Sequence, residues 1–283
     1  MKLKIQKIFM RAIALAWVLT GLGSFVWGEE TPSPSKDSLT ELSLEELMNV
    51  EIVTYSKNPE RWFDTPAAVY VITQEDIRRS GVTSIPEALR MAPGVQVARI
   101  NSNQWAIGIR GFTSRLSRSI LVLIDGRSVY SPLFAGVYWE VQDLLLEDIE
   151  RIEVIRGPGG VIWGSNAVNG VINIITKRAK ETQGSLVKLG AGTEERAFSG
   201  VRYGGRAGEN LHYRVYAKYF AQDAGFHQTG NDFDDWRMGQ TGFRTDLDLT
   251  QTDALTVQGD FYAQKAGQRT TFGLYSPPFS QTV

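Results

Sequence analysis

Residues 149–158 read IERIEVIRGP, and residues 164–177 read GSNAVNGVINIITK. Their apolar, β-branched runs predict strands over 152–156 and 171–176, with a short helix over 144–150 before the first of them. Gly157–Gly160 does not match a phosphate-binding loop, because it lacks the lysine and hydroxyl of that loop and because Pro158 has no backbone donor. These glycines therefore predict turns between strands.

The residues before this stretch predict the rest of a compact α+β unit. Two capping-box spacings predict short helices, the first ending at Gly81 and the second covering Ile85–Met91. The boxes pair Thr73 with Asp76 and Ser84 with Glu87. Strands are predicted over 67–73, 95–97, 107–110 and 120–124, the last ending in a turn at Asp125-Gly126. Residues 50–180 are thus predicted to form one domain with a mixed short sheet and small helices.

Residues 185–283 have a different pattern, in which apolar and polar residues alternate. Five strand-like segments cover 185–192, 196–204, 210–221, 237–249 and 254–266. They predict the first antiparallel strands of a transmembrane β-barrel. A soluble sheet with one solvated face has the same period, so the alternation alone leaves both interpretations open. The longest polar link, with Asp232, Asp234 and Asp235, is predicted to be a solvated acidic loop.

The first 28 residues have the layout of a secretory signal peptide. Basic residues precede an apolar run from Ala12 to Trp27, and Gly28 offers a small residue at the cleavage site. An uncleaved inner-membrane anchor is the alternative, although the run is shorter than the ~20 residues of a membrane-spanning helix. Residues 29–49 are predicted to be a flexible leader with a short helix. The export signal favours the barrel interpretation of residues 185–283.

The composition excludes several classes of function. The 283 residues carry 30 basic and 31 acidic groups, so no basic excess points to nucleic acid. With no cysteine and two histidines, the chain offers no disulfide framework, thiolate zinc site or cysteine nucleophile. The sequence therefore predicts a protein that is not an enzyme and that holds no metal or cofactor of its own.

Five blocks of sequence, in the same order, resemble those of the TonB-dependent outer-membrane receptors. They are Pro66–Thr73 with Glu75-Asp76-Ile77; Ile85–Leu89 with Pro93-Gly94-Val95; Ile109–Phe112 with Val122–Gly126; Ile149–Pro158; and Gly164–Lys177. One block alone is weak, but five in order are specific. The resemblance covers residues 50–180 as the family's plug domain and continues weakly into 185–266 as early barrel strands.

The resemblance implies that plug arginines hold the plug inside the barrel. In the family, the arginines that match Arg110 and Arg156 pair with carboxylates of the barrel wall, a geometry that suits the guanidinium group. Glu150 and Glu153 complete the predicted locking set. The near-alternating charges of Glu150, Arg151, Glu153 and Arg156 also predict a salt-bridge ladder along the strand, and capping of strands at a solvated surface is the alternative for both arginines.

The segment Glu51-Ile52-Val53-Thr54-Tyr55 resembles the TonB box, through which a TonB-type periplasmic coupling protein binds these receptors. Its β-branched residues suit the addition of a strand to the edge of a partner's sheet. An ordinary first strand of the plug is the alternative.

By their position in the family, several plug loops are expected to face the outside and the ligand. Exposed aromatic and arginine side chains there suit an anionic or aromatic metal chelate. The predicted residues are Arg99, Asn101, Trp105, Arg115, Phe134, Tyr138 and Trp139. The alternative is that the aromatic residues pack against barrel loops.

These features predict an outer-membrane receptor, embedded in outer-membrane lipid, for a scarce nutrient such as a ferric siderophore or a cobalamin-like chelate. Uptake would be energised by the periplasmic coupling protein. A barrel that holds a plug has about 22 strands, so the chain is expected to be an N-terminal portion with an incomplete barrel that does not transport by itself. The alternative is a non-transporting plug that serves as a sensor or decoy.

Overall fold

The computed structural model describes residues 51–52, 54, 60–61, 67–228, 232–250, 253–273, 275–278 and 280–282. The predicted signal peptide (1–28) and leader (29–49) lie outside these residues, as do Val53 and Tyr55 of the candidate TonB box. In the described part of the chain, no helix is long and apolar enough to cross a membrane.

The described residues up to 182 form short strands and small helices, and strands of up to 13 residues follow. The short strands are β1 (Glu51–Ile52), β2 (Glu60–Arg61), β3 (Ala68–Thr73), β4 (Val95–Asn101), β5 (Gln104–Ile109), β6 (Ile120–Ile124), β7 (Arg127–Ser128), β8 (Ile149–Arg156) and β9 (Gly170–Thr176). The α-helices are α1 (Gln74–Ser80), α2 (Ile85–Ala88) and α3 (Gly160–Trp163), and 3-10 turns cover Leu89–Met91, Trp139–Val141, Leu146–Asp148 and Ala179–Thr182. The later strands are β10 (Gly184–Gly190), β11 (Glu195–Ala207), β12 (Leu211–Gln222), β13 (Trp236–Asp248), β14 (Ala254–Ala266), β15 (Thr271–Gly273) and β16 (Ser280–Thr282).

A five-stranded mixed sheet organises residues 67–182, which we call the plug unit. Its strand order is β3-β8-β9-β6-β7, with β6 and β9 parallel and the other neighbours antiparallel. The hairpin β4–β5 stands apart as a two-stranded sheet. The predicted α+β fold with a mixed short sheet is confirmed.

The mixed sheet is buried on both faces. Val122, Ile152 and Ile172 point into the larger apolar cluster, while Leu121 and Val171 point into a second cluster on the opposite face. Strands that are covered on both sides read as continuous apolar runs rather than as alternating ones, which explains the sequence of β6 and β9.

The two predicted capping boxes have different outcomes. The first is confirmed, because Thr73 and Asp76 bond reciprocally and Gly81 ends α1 in the left-handed region at φ 69°. The second is wrong, since the Ser84 side chain caps nothing and the predicted helix changes to a 3-10 turn after Ala88. Glu87 instead accepts a hydrogen bond from the Trp105 indole at 2.7 Å, which takes its carboxylate away from the cap.

The helix predicted over 144–150 is also wrong. Only Leu146–Asp148 forms a 3-10 turn, and β8 begins at Ile149. Ile149 is fully buried and pairs with Thr176 of β9, so sheet pairing overrides the local preference for a helix.

Strands β10–β14 form one antiparallel sheet in chain order, which we call the wall sheet. Its five strands lie where the alternating pattern predicted them. One face carries exposed apolar side chains, among them Val187, Leu189, Val201, Val215, Phe243 and Phe261. The other face carries buried polar side chains, among them His212, Arg214, Gln240, Arg244 and Asp246.

The connections of the wall sheet differ at its two ends. At one end, residues 208–210 and 249–253 make short links between strands. At the other end, residues 191–194 make a short link between β10 and β11, while the connection between Gln222 of β12 and Trp236 of β13 is much longer. We call this second end the loop end. Short turns on one side and long loops on the other are the arrangement of outer-membrane barrels.

Gly170 gives a test of the packing of the plug unit. A Cβ atom at Gly170 would lie 2.4 Å from the Ile155 carbonyl oxygen and 2.7 Å from Cδ1 of Ile109. Gly170→Ala should therefore destabilise residues 50–180, produced alone, by about 1–3 kcal/mol, because the backbone contact leaves no room for relaxation. The midpoint of urea unfolding, followed by tryptophan fluorescence, measures this loss.

Gly160→Ala is the matched control, since a Cβ atom there meets nothing closer than 4.0 Å. It should leave the midpoint unchanged or raise it slightly, because alanine favours a helix. Equal destabilisation by both changes would contradict the packing argument. A disordered spectrum for unaltered residues 50–180 would show instead that this domain needs the wall sheet to fold.

Candidate functional site

The polar face of the wall sheet meets the plug unit along a seam of buried ion pairs. Asp148 lies 2.5 Å from Nη1 of Arg202 and 3.6 Å from Nε of Arg214. All three side chains are largely buried, with exposures of 5%, 11% and 6% respectively. A buried carboxylate is tolerated only when it is paired, so this contact fixes how the plug unit sits on the sheet.

A second ion pair lies towards the loop end. The Lys218 ammonium group is 2.7 Å from Asp143 and also donates to the carbonyl oxygen of Leu144 at 3.0 Å. The side chain of Gln240 donates to the backbone carbonyl of Asp143 at 3.0 Å. The plug segment before the Leu146–Asp148 turn is thus held by both β12 and β13.

A third set of contacts centres on the hydroxyl of Thr176. It donates to Asp125 at 2.8 Å and accepts from Arg244 at 2.9 Å and from Arg214 at 3.1 Å. Arg244 also pairs with Asp246, whose carboxylate accepts the Ala179 backbone N–H at 2.6 Å. One hydroxyl therefore joins a turn of the plug unit to two cations of the wall sheet.

The seam has the opposite polarity to the lock implied by the family resemblance. In the buried pairs, plug carboxylates face wall cations, whereas the expected lock joins plug arginines to wall carboxylates. The exposed pair of Arg178 with Asp248 has the expected polarity. The alternating sequence of β12 puts Arg214 and Lys218 on its polar face, which is the signal that the sequence offers for these cations. The acidic partners were not recognised, because Asp125 and Asp148 lie in turns without periodicity.

Arg110 and Arg156 come together at one corner of the plug unit. Arg156 donates to the Pro93 carbonyl at 3.0 Å, and the Arg110 guanidinium lies beside Gly157. Arg110, Gly111 and Phe112 all have positive φ, at 56°, 85° and 57°. Such backbone strain in non-glycine residues is a mark of functional sites. The pairing of these arginines with wall carboxylates stays a prediction.

The predicted locking residues Glu150 and Glu153 both contact Arg151. Nε of Arg151 lies 2.8 Å from Glu153, and Nη1 of Arg151 contacts Glu150. Glu153 is fully buried within the mixed sheet, and Glu150 is partly exposed. These contacts lie within β8, and a role of either glutamate in locking the barrel stays a prediction.

Thr54 of the candidate TonB box is anchored on the plug unit. Its backbone N–H donates to Glu153 at 2.9 Å, and its hydroxyl contacts the same carboxylate oxygen. The Trp163 indole donates to the Thr54 carbonyl at 2.7 Å, and the Asn173 amide donates to the Thr54 hydroxyl at 3.0 Å. Close by in the chain, β1 pairs antiparallel with β2.

The predicted ligand-facing residues divide into two groups. Trp105 and Trp139 are buried at 3% and 5% exposure, so the expectation that they are exposed is wrong. Trp105 packs edge-on against Trp236 of the wall sheet at 5.8 Å between ring centroids, because the β4–β5 hairpin leans on that sheet. Phe134 is 55% exposed.

The other predicted residues lie at or near the surface. Arg99 is exposed and donates to the carbonyl oxygens of Asn101 and Ser102 at the tip of the β4–β5 hairpin. Arg115 pairs with Glu140 at 3.0 Å and lies over the ring of Tyr138. The alternative role of the aromatic residues, packing against the wall, thus fits Trp105, while contact with a ligand stays a prediction for the exposed residues.

Sequence reasoning missed the position of Asp234. Its side chain is fully buried, and it accepts the backbone N–H groups of Ser102 at 2.6 Å and Gly225 at 2.9 Å. Nε2 of His227 lies 2.9 Å from the same carboxylate. Burial by itself would raise the pKa of Asp234, but these hydrogen bonds hold the pKa below its usual range. The solvated acidic loop predicted here is therefore wrong for Asp234.

The Asp148 contact predicts a large, local effect on stability. Asp148→Asn should lower the free energy of unfolding of the plug unit by about 3–5 kcal/mol, because it leaves buried guanidinium groups without their counter-charge. Asp248→Asn is the matched control, since Asp248 pairs with Arg178 at an exposed edge. It should cost less than about 1 kcal/mol.

Native-state hydrogen exchange of β8 and β9, in the protein at its native length, measures both changes. If the two variants exchange alike, the buried seam does not carry the attachment of the plug unit.

Comparison with known protein families agrees with this architecture. Residues 62–171 match the model of the TonB-dependent receptor plug domain. The vitamin B12 transporter of Vibrio vulnificus is 33% identical over 156 residues, which are 53% of this chain and 25% of that protein. An iron-regulated outer membrane virulence protein of Vibrio cholerae is 37% identical over 142 residues, 48% of this chain and 21% of the relative. The chain thus spans a quarter or less of the length of these two relatives.

Solved structures show the same fold. The pyoverdine outer membrane receptor of Pseudomonas aeruginosa, bound to pyoverdine, aligns with a TM-score of 0.61 at 23% identity, over 75% of this chain and 30% of that one. A siderophore receptor from the same species aligns with a TM-score of 0.53 at 27% identity, over 73% and 35% of the two chains. Residues 62–171 thus match the plug domain of the TonB-dependent receptors, and the sequence relatives and the fold of the chain agree with that family.

Proposed function

We propose that the protein acts in the bacterial outer membrane as a receptor that binds a scarce metal chelate outside the cell and takes it up. The observation that carries this proposal is the wall sheet with two unlike faces. Its exposed face is apolar, and its other face is polar and fastened to the plug unit by buried ion pairs. Such a sheet suits lipid on one side and a filled lumen on the other.

The names of the relatives support a ligand class. One relative is a vitamin B12 transporter, and the structural neighbours include a siderophore receptor. A cobalamin-like chelate or a ferric siderophore is therefore the proposed cargo. In this arrangement the loop end of the wall sheet would face the outside, and Arg99, Arg115 and Phe134 are the residues proposed to meet the ligand.

The proposed organisation follows the chain. Residues 1–28 export the protein, residues 29–49 form a leader, residues 50–180 form the plug domain, and residues 185–283 begin the barrel. This arrangement would put the short links of the wall sheet in the periplasm, with the candidate TonB box on the same side.

Residues 51–55 are proposed to receive a TonB-type coupling protein. Strand addition needs backbone N–H and C=O groups that can leave their present partners. The pairing of β1 with β2 covers only two residue pairs, so these groups can be exchanged at low cost. The contacts of Thr54 would hold the segment until it is pulled.

This proposal predicts that one substitution separates binding from uptake. Ile52→Pro removes a backbone donor and blocks strand addition, whereas Ile52→Val keeps it. The test uses bacterial cells that lack their own receptors for these chelates and that produce the protein at its native length. These cells should bind radiolabelled cyanocobalamin or ferric enterobactin. The Ile52→Pro variant should bind equally well but should take up several-fold less.

Two results would contradict the proposal, and each would exclude a different part of it. Uptake that Ile52→Pro leaves unchanged would exclude residues 51–55 as the coupling segment. Binding without uptake in the unaltered protein would favour the non-transporting alternative, a sensor or decoy.

The two corner arginines give a second test. Replacing both Arg110 and Arg156 with alanine should loosen the plug and raise the permeability of the outer membrane several-fold, if wall carboxylates pair with them. Killing by a large antibiotic that the intact outer membrane excludes measures the permeability. Arg78→Ala with Arg79→Ala is the control, because both arginines pair with Glu75 on the surface of α1. Equal permeability of the two variants would remove the locking role.

A further inference from the structure

The tip of the β4–β5 hairpin is gripped by the loops of the wall sheet. Ser102 and Asn103 form this tip, and both are buried at 2% and 1% exposure. Most hairpin tips are solvated, because their backbone groups need water as a partner. Here the partners come from residues more than 120 positions later in the chain.

Asp234 is the centre of the grip. Its Oδ2 accepts the Ser102 backbone N–H from the plug unit, while its Oδ1 accepts the Gly225 backbone N–H and contacts His227 from the loop between β12 and β13. Each oxygen thus serves a different part of the molecule. A carboxylate is the only side chain of this length with two acceptor oxygens.

Three further hydrogen bonds tie the same elements together. The Ser102 hydroxyl donates to the Asp223 carbonyl at 2.7 Å. The Asn103 side-chain amide donates to the carbonyl oxygens of Asp234 at 3.2 Å and Gly267 at 2.8 Å. The hairpin tip is therefore bound to the loop after β12 and also to the segment after β14.

The loop side of the grip is stiffened by stacking. The His227 ring stacks on Phe233 at 4.2 Å, and the Arg269 guanidinium lies over the same phenyl ring at 4.5 Å. Gly267 approaches the Phe233 carbonyl so closely that a Cβ atom would lie 1.9 Å from it. Residues that flank Asp234 are thus fixed by contacts between two loops.

From these contacts we infer that Asp234 is a clasp that joins the β4–β5 hairpin of the plug unit to two loops of the wall sheet. The hairpin and the two loops therefore move as one body before any ligand binds. The apical clasp consists of Asp234, Ser102, Asn103, Gly225, His227 and Gly267. The plug unit and the wall sheet therefore form their joint surface at the loop end before a ligand binds. Ligand binding then loses no entropy in bringing these two parts together. This linkage goes beyond the proposed uptake function and holds whatever the ligand is.

Asp234→Asn tests the clasp, because the amide is uncharged and has one acceptor oxygen instead of two, which weakens the hydrogen bonds to both Ser102 and Gly225. Hydrogen exchange of the protein at its native length in detergent is the measurement. Peptides over 100–106 should exchange roughly ten- to a hundredfold faster, since a charge-assisted hydrogen bond to Ser102 is lost. Peptides over 68–80 should not change. Asp232→Asn, at an exposed position two residues earlier, is the control and should change neither.

The reciprocal variant keeps the inference testable if Asp234→Asn does not assemble. Asn103→Ala alters only the plug side, yet it should accelerate exchange in peptides over 223–228 of the wall loop, because coupling between two sites is mutual. Faster exchange confined to the mutated side, in either variant, would overturn the clasp.

Discussion

The ion pair of Asp148 with Arg202 and Arg214 is the contact on which the arrangement of plug unit and wall sheet depends. A sheet with lipid on one face must turn its polar side chains inward, and two buried guanidinium groups then need a counter-charge. The plug unit supplies it from the turn just before β8. The sheet and the domain on its inner face are therefore matched by charge as well as by shape.

The carboxylates of the seam come from turns and strand ends rather than from strand interiors. Asp125 stands in the left-handed region at φ 47°, immediately after β6, and Asp148 ends the 3-10 turn before β8. Strand interiors of the mixed sheet are mostly apolar because both faces are covered, and the buried Glu153 of β8 is paired within the plug unit by Arg151. The carboxylates that pair with the wall sheet lie outside the strand interiors. The attachment points of the mixed sheet therefore lie at the strand ends and turns that meet the wall sheet.

Much of the fold could be predicted, because strand periodicity and the first helix cap are local signals. The five wall strands and the apolar strands β6 and β9 were predicted from their patterns. The helix over 144–150 was wrong because pairing of Ile149 with Thr176 is a long-range contact. The buried state of Trp105 and the role of Asp234 could not be predicted, since each depends on a partner about 130 residues away in the chain.

The seam and the Thr54 contacts differ in what replaces them when they break. At the seam, loss of Asp148 leaves two largely buried guanidinium groups without that carboxylate. At Thr54, withdrawal of a short segment uncovers the Glu153 carboxylate, which Arg151 still pairs and which water can then solvate. In the proposed coupling, a pull on the N-terminal segment would therefore release Thr54 before the seam with the wall sheet.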